Sequence, residues 1–462
     1  MFCQLERPCK LVGRRPNPTE NALDSGNGWD SGNAWDSMSQ ERSARRAIDR
    51  KGIAVNPLAK QGLLHEKAAV NVAMLLSCGS FEGFFGWVQG QTRQSYLETY
   101  RNDFAWYYAQ GLKDNGINPI IYIPALLESG KYQTDLGISV RFLPISRWYR
   151  PFETVWIKRL SRRTRWSLYA EERINTMAFM GSLQKALAED NVDLLYLQEY
   201  WSGRFDHIAS GVDLPVVGAD HGGVSDRVVK LFKPDAFKRA AVCYAQTENE
   251  CRIIEQYGGR SVLAPNGCDV SEFFPDPKVS RGMTVLTVTR LTNRQKRTSD
   301  LIRAMAELPQ EWTLDIVGTG PDKPMLESLV AELGLSSRVT FHGFVGRHEV
   351  RDFFRRCGVY AMPSANEAVA LAVLEAMACG AAVVLSRIRA FEQLVTNGVN
   401  GRLVAVGDVK GLAAGIVDAW EHREPLGRAA SETIRTHYDK SILYARLANS
   451  LREIALQSGP RE

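Results

Sequence analysis

The chain has 462 residues, 45% of them hydrophobic and 24% charged, and a formal net charge of +5. That length allows two to four domains, and the composition is ordinary for a globular protein able to build sizeable cores. So small a positive balance over so long a chain argues against a nucleic-acid partner.

Residues 1–65 are polar and contain the tandem hexads DSGNGW (24–29) and DSGNAW (30–35). Two copies are too few for a solenoid and too rich in Gly, Asn and Ser to bury a core, so this stretch reads as a disordered leader. Val70 to Ser77 is a short apolar run that breaks into Gly79, Gly83, Gly86 and Gly90. It predicts a buried strand followed by a glycine-containing loop. A helix over Asp103 to Asn115 and a strand over Asn118 to Ile123 complete the first unit of a doubly wound α/β domain, in which ligands bind at the carboxyl ends of strands. Phe81, Phe84, Phe85 and Trp87 in that loop either line such a site or pack into the core.

Between Arg147 and Trp166 seven basic residues (Arg147, Arg150, Lys158, Arg159, Arg162, Arg163, Arg165) face one acid, Glu153. On a helix Lys158, Arg159, Arg162 and Arg163 share a side beside an apolar stripe of Trp156, Ile157, Leu160 and Leu168. The pattern suits an anionic membrane surface or a phosphate-bearing ligand, with a solvated helix face as the competing reading. Asp193 to Leu197 predicts a strand leading into Gln198 and Glu199, and Leu214 to Gly218 another leading into Asp220, His221, Gly222 and Gly223. Both polar clusters fall where crevice ligands bind. After Val242 to Gln246 comes Pro265-Asn266-Gly267-Cys268-Asp269 with Phe273, Phe274 and Pro275. Pro fixes φ, Asn-Gly turns sharply and Phe anchors the turn, which together describe a hinge.

The second half repeats the pattern. Thr284 to Thr289 predicts a strand feeding Arg290, Lys296 and a helix from Ser299. Further strands are expected at Leu314 to Val317, ahead of the turn Gly318 to Pro321, at Val339 to Phe344 and at Val359 to Pro363. Residues 363–386 then place Glu367 and Glu375 with seven residues between them, about two helical turns, before the strand Ala382 to Leu385. A helix beginning near Glu367 puts unpaired backbone N–H groups at its mouth, where phosphates are favoured. Leu403-Val404, a helix over Val409 to Glu421 and a closing helix from Asp439 to about Leu456 follow. The eight cysteines show no C-x-x-C and no zinc-ligand spacing, which suggests a reducing, cytoplasmic compartment. No apolar run approaches the ~18–20 residues that span a bilayer, and the N-terminus has no apolar signal-like core.

The Glu367-x7-Glu375 segment resembles the signature of the family 4 retaining glycosyltransferases, which have the GT-B fold of two Rossmann-like domains and use nucleotide-diphosphate sugars. Pro265, Asn266, Gly267, Asp269, Phe273 or Phe274, and Pro275 match that family's interdomain motif. Arg290 and Lys296 match its diphosphate-binding pair, and His221 matches the His at the reaction centre. The resemblance covers roughly residues 69–456 and is most specific from 265 to 405. It implies a fold in which two doubly wound domains face across a cleft. Residues 66–270, with a returning helix at 440–458, would take the acceptor, and residues 271–439 the donor.

It further implies that Glu367 holds the donor sugar, that Glu375 holds the ribose, and that Arg290 with Lys296 stabilises the leaving diphosphate. Ala368, Val369, Ala370 and Leu371 stand where the family offers backbone N–H groups, although its Gly-Phe-Gly is replaced here by Ala-Val-Ala. His221 and Glu367 are the expected catalytic residues, and Gly86, Glu199 and Asp220 the acceptor side. The expected co-substrate is a nucleotide sugar and the acceptor a carbohydrate, lipid or small molecule. Neither a cofactor nor a metal is expected, since the chain has no D-x-D triplet, and the position is cytoplasmic with peripheral membrane contact through 147–166. Alternative readings are a nucleotide-sugar-binding pseudoenzyme or scaffold, or a GT-B epimerase or phosphorylase.

Overall fold

The computed structural model describes residues 70–87, 89–101, 104–152, 164–220, 230–367 and 369–458. The leader 1–65, the centre of the basic stretch, His221 and Ala368 lie outside them. Two sheets carry the described chain. Strands β1 (Val70–Leu75), β2 (Ile117–Ala125), β3 (Gly130–Gln133), β4 (Ser139–Pro144), β5 (Leu194–Gln198), β6 (Val216–Ala219), β7 (Val242–Ala245) and β8 (Ser261–Leu263) form the first. Their order is β3-β4-β2-β1-β5-β6-β7-β8, with every neighbouring pair parallel except β3 with β4. The second sheet holds β9 (Thr284–Val288), β10 (Thr313–Val317), β11 (Val339–Gly343), β12 (Val359–Met362), β13 (Ala382–Ser386) and β14 (Arg402–Val404), ordered β11-β10-β9-β12-β13-β14.

The central strands are continuous apolar runs because helices cover both faces of a parallel sheet. Val72 to Leu75 in β1 and Ala382 to Leu385 in β13 are fully or almost fully buried. Register is set by pairings such as Val72 with Leu194 and Val285 with Val359. Chain order reverses between β1 and β5 in the first sheet and between β9 and β12 in the second. These are the switch points where ligands bind in doubly wound folds.

One expectation is corrected. The glycine-containing stretch after β1 is a helical turn, Glu82–Gly86, rather than an open loop. Ser80 Oγ accepts the Gly83 N–H at its start, and the Glu82 carboxylate accepts the backbone N–H groups of Leu126, Leu127 and Glu128. Phe81 and Phe85 pack on Tyr96, and Phe81 on Phe142, in the core, so the core-packing reading holds for these two rings. Trp87 is exposed.

The helix Lys440–Gln457 returns to the first sheet's side. Leu447, Ala448 and Leu451 are buried with Tyr196 and Val217 of that core, and Tyr444 packs on Tyr108 at a ring separation of 5.2 Å. The turn at Gly267 touches the start of this helix, and Lys440 is ion-paired with Asp269.

Candidate active site

Four loops at the carboxyl edge of the second sheet build the site. After β9 the chain passes Arg290 and forms one helical turn, Asn293–Lys296, before the helix Thr298–Glu307. Arg297 between them is left-handed, with φ 50°, so the short turn does not run on into the helix and Lys296 is kept at the sheet edge. The loop after β12 is stitched to this turn by three bonds. Ala365 N donates to Gln295 O (2.8 Å), Gln295 Nε2 to Asn366 O (3.3 Å), and Lys296 Nζ to Glu367 Oε1 (2.5 Å). Both charged side chains of that ion pair are largely buried. Arg290 leaves β9, the strand beside β12, so it emerges from the same edge, and its Nε is buried without a partner among the described residues.

The third loop follows β10. Gly318 has φ +129°, and a Cβ there would overlap the Thr289 carbonyl oxygen. Glycine therefore lets this loop lie directly against the loop that carries Arg290.

The helix Leu371–Ala378 starts four residues after Glu367, and its cap residue Ala370 makes no side-chain capping bond. Its first amides are thus left without a side-chain cap beside a charged pair, an arrangement that suits an anion. Ala370 adopts φ −78° and ψ 106°, a region open to any residue, so at this position the loop does not require glycine. Val369 and Ala370 also line a cavity of about 160 Å³ whose far wall is Gln246, Glu248 and Pro265. Gln246 ties the parts of the first half together, donating to the backbone oxygens of Asp220 (2.9 Å) and Ala264 (3.2 Å) and accepting from Asn266 N (2.7 Å).

Glu375 sits in the middle of that helix and is largely buried. Burial pushes its carboxyl up to about 7, Arg347 pulls it down and Glu272 pushes it further up. Arg347 Nη1 lies 3.2 Å from Glu375 Oε1 and its Nε is 2.6 Å from Glu272 Oε2. The Tyr360 hydroxyl of β12 is held far above its ordinary range by burial, and the charges of Glu367 and Glu375 raise it further. The fourth loop, after β11, leaves the Phe344 ring 78% exposed.

The first half contributes a second polar cluster. Glu199, just past β5, is left-handed at φ 61°, a strained position for a residue with a side chain. It accepts a hydrogen bond from Ser77 Oγ at the end of β1. Burial pushes its carboxyl up to about 7, Ser77 lowers it, Glu172 raises it and Arg204 lowers it. Below it the fully buried Lys233 donates to Tyr200 O (2.7 Å), Ser202 O (2.9 Å) and Asp206 Oδ1 (2.9 Å), pinning the loop that holds Glu199. Asp220 is buried at the end of β6. Gly86 ends the helical turn after β1 and has ordinary space around it. His221 would follow Asp220 but lies outside the described residues, as does Ala368.

The structure therefore brings Lys296 to Glu367, sets Arg290 and Glu375 on the same sheet edge, and holds Glu199 and Asp220 at strand ends of the other sheet. Arg347, Glu272 and Gln246 were not singled out from the sequence. Arg347 meets partners 75 and 28 positions away, and no spacing rule links such residues.

Two doubly wound α/β halves are the architecture of the GT-B fold expected from the sequence. Among solved structures, the chain resembles sucrose-phosphate synthase from Thermosynechococcus elongatus with a TM-score of 0.64, 17% identity and coverage of 84% of this chain and 100% of that one. It resembles HepE of Anabaena, solved with UDP and glucose, with a TM-score of 0.60, 18% identity and coverage of 83% and 100%. Residues 271–436 match the family model described as glycosyl transferases group 1. It is 27% identical over 284 residues to a phosphatidyl-myo-inositol mannosyltransferase of Mycolicibacterium smegmatis, covering 57% of this chain and 72% of that protein. A D-inositol 3-phosphate glycosyltransferase of Xylanimonas cellulosilytica is 36% identical over 108 residues, which cover 22% of this chain and 26% of its own length.

Proposed function

We propose that this glycosyltransferase moves a sugar from a nucleotide-diphosphate donor to an acceptor hydroxyl with retention of configuration and without a metal ion. The observation that carries the reading is the Lys296 to Glu367 contact beside an uncapped helix start, on the edge from which Arg290 emerges. Arg290, as a planar fork, and Lys296, as a point charge, would neutralise the charge growing on the leaving diphosphate, work otherwise given to a metal. The amides of Ala368, Val369, Ala370 and Leu371 would add to this. Glu367 would hold the donor sugar's hydroxyls, Glu375 the ribose, and the exposed Phe344 ring would stack on the base.

The bond from the anomeric carbon to the phosphate oxygen breaks as the acceptor oxygen bonds to that carbon on the same face. The acceptor proton passes to the leaving phosphate. His221 would line this centre, and Glu199 with Asp220 and the loop at Gly86 would receive the acceptor. Both relatives named above carry inositol in their names, and a polyhydroxylated acceptor, free or lipid-borne, suits a cluster of buried carboxylates. Peripheral membrane contact through 147–166 and a cytoplasmic position complete the proposal. Among the described residues the six cysteines are free thiols, and no helix is long and apolar enough to cross a membrane.

The test is a thermal-shift screen with UDP, GDP and ADP sugars, since a ligand that binds only the folded protein raises its melting temperature. A donor that shifts the wild type, shifts Glu375→Ala less and is consumed in the presence of an acceptor supports transfer. Binding without transfer or hydrolysis across an acceptor panel would make this a nucleotide-sugar-binding pseudoenzyme. No shift with any donor removes the reading.

A further inference from the structure

The Glu375 carboxylate is gripped by an arginine from another helix. The helix Arg347–Arg356 begins at Arg347, whose guanidinium spans Glu272 (2.6 Å) and Glu375 (3.2 Å) and lies 4.7 Å from the centre of the buried Phe273 ring. Tyr107, from the first half, is 5.7 Å from the same guanidinium. Nε is committed to Glu272, Nη1 to Glu375, and the ring below fixes the plane of the fork. Among the described residues no other group binds Glu375, so most of its accepting capacity stays open.

We propose that Arg347 is the positioning residue for the donor's ribose, anchored on Glu272 and Phe273 so that it orients the Glu375 carboxylate and sets a positive charge beside it. This rests on the assignment of the ribose to Glu375. An ionised carboxylate accepts from two neighbouring hydroxyls at once, whereas a protonated one gives up part of that capacity to its own proton. A carboxyl buried this deeply takes up a proton unless a cation opposes it. Arg347 is that cation: burial alone would lower its own affinity for a proton, and Glu375 and Glu272 together outweigh burial.

The thiols and the phenol nearest Glu375 stay uncharged near neutral pH. Cys268 and Cys379 are thiols that burial pushes far up, Cys379 to about 12, and the Tyr360 hydroxyl is likewise held up. Glu272 disfavours ionisation of Glu375, and His348 Nδ1 lies 3.6 Å from the Glu272 carboxylate, a contact common to all the variants compared. Among the described residues Arg347 is therefore the neighbour whose loss would move the protonation of Glu375 toward the neutral form.

The experiment is calorimetric titration of the full chain with UDP, and with GDP if it binds more tightly, between about pH 6 and about pH 9. Wild type, Arg347→Leu, Arg347→Lys and Glu375→Gln are compared, and dividing each affinity by that of Glu375→Gln cancels the nucleotide's own titration. The wild-type ratio should rise as pH passes about 7. In Arg347→Leu that rise should move up by about one pH unit, so binding is roughly fivefold weaker at pH near 7, approaches tenfold weaker at pH near 6, and the gap closes at alkaline pH. Arg347→Lys keeps a cation and should restore most of the profile. A loss in Arg347→Leu that is equal at every pH, or no loss, overturns the inference and leaves the ribose assignment standing if Glu375→Gln is weak. If Glu375→Gln binds as wild type does, or neither nucleotide binds, the ribose assignment itself fails and the inference with it.

Discussion

Lys296 and Glu367 are joined at 2.5 Å, so each charge competes with substrate for the other. Glu367→Gln removes the competitor for Lys296, and UDP should bind several-fold more tightly while transfer falls by about two orders of magnitude, because the sugar loses its carboxylate. Calorimetry and a turnover assay on one preparation would show the two effects diverging. Glu375 supports a different expectation. Its folded-state carboxyl is raised to about 7 from an ordinary 4.5, chiefly by burial. The folded state thus holds this proton more tightly than the unfolded chain does. The resulting stability is fully present below the unfolded value and is lost as pH rises through 7. Glu375→Gln stays neutral throughout, so it should stabilise the protein by about 2 kcal/mol at mildly alkaline pH and hardly at all at pH near 5. Denaturant midpoints at the two pH values, without added nucleotide, check this. Glu375 would then be a residue kept for binding at a cost in stability.

At the scale of elements, the site depends on loops that touch across neighbouring strands. Gly318→Ala combines a left-handed backbone with an overlap on the Thr289 carbonyl, so the loop bearing Arg290 must shift. A destabilisation of about 2–4 kcal/mol, with weaker nucleotide binding, is expected in urea titrations of the variant. The same comparison shows what could be read beforehand. Val70 to Ser77, Thr284 to Thr289 and Ala382 to Leu385 announced themselves as buried strands because both faces of a parallel sheet are covered and their sequences are apolar throughout. The edge strand Gly130–Gln133 did not, since it is short and mostly exposed. The glycines after β1 suggested an open loop, whereas Glu82 spends its carboxylate on three backbone amides and two aromatic rings anchor the turn. Glu367 and Glu375 stood out because their spacing lies within one segment. The partners that decide their charge, Lys296 and Arg347, come from other loops, and only the folded chain shows which cation meets which acid.

For the whole molecule, a net charge of +5 is too small to drive binding to an anionic surface unless the charge is concentrated. The segment 147–166 concentrates it, and the exposed Trp148 and Trp166 flank its centre. Binding to liposomes rich in anionic lipid should be lost at high salt and abolished by Arg162→Glu with Arg163→Glu, while neutral liposomes should bind weakly in both proteins. Sedimentation with vesicles of the two compositions measures it, and equal binding by wild type and variant would return the segment to a solvated helix face.

The helix Lys440–Gln457 supplies Leu447, Ala448 and Leu451 to a core that otherwise belongs to residues before 270, and Tyr244 donates to Ser450 at 2.8 Å. A growing polypeptide on the ribosome cannot finish that core when residue 270 emerges. It must wait for some 170 further residues to be translated, with Tyr108 and Tyr196 left wet in the meantime. Synthesis that stops near position 439 would therefore deliver a complete second sheet beside an unsealed first one, and chaperones or proteases would meet the molecule at the end made earliest.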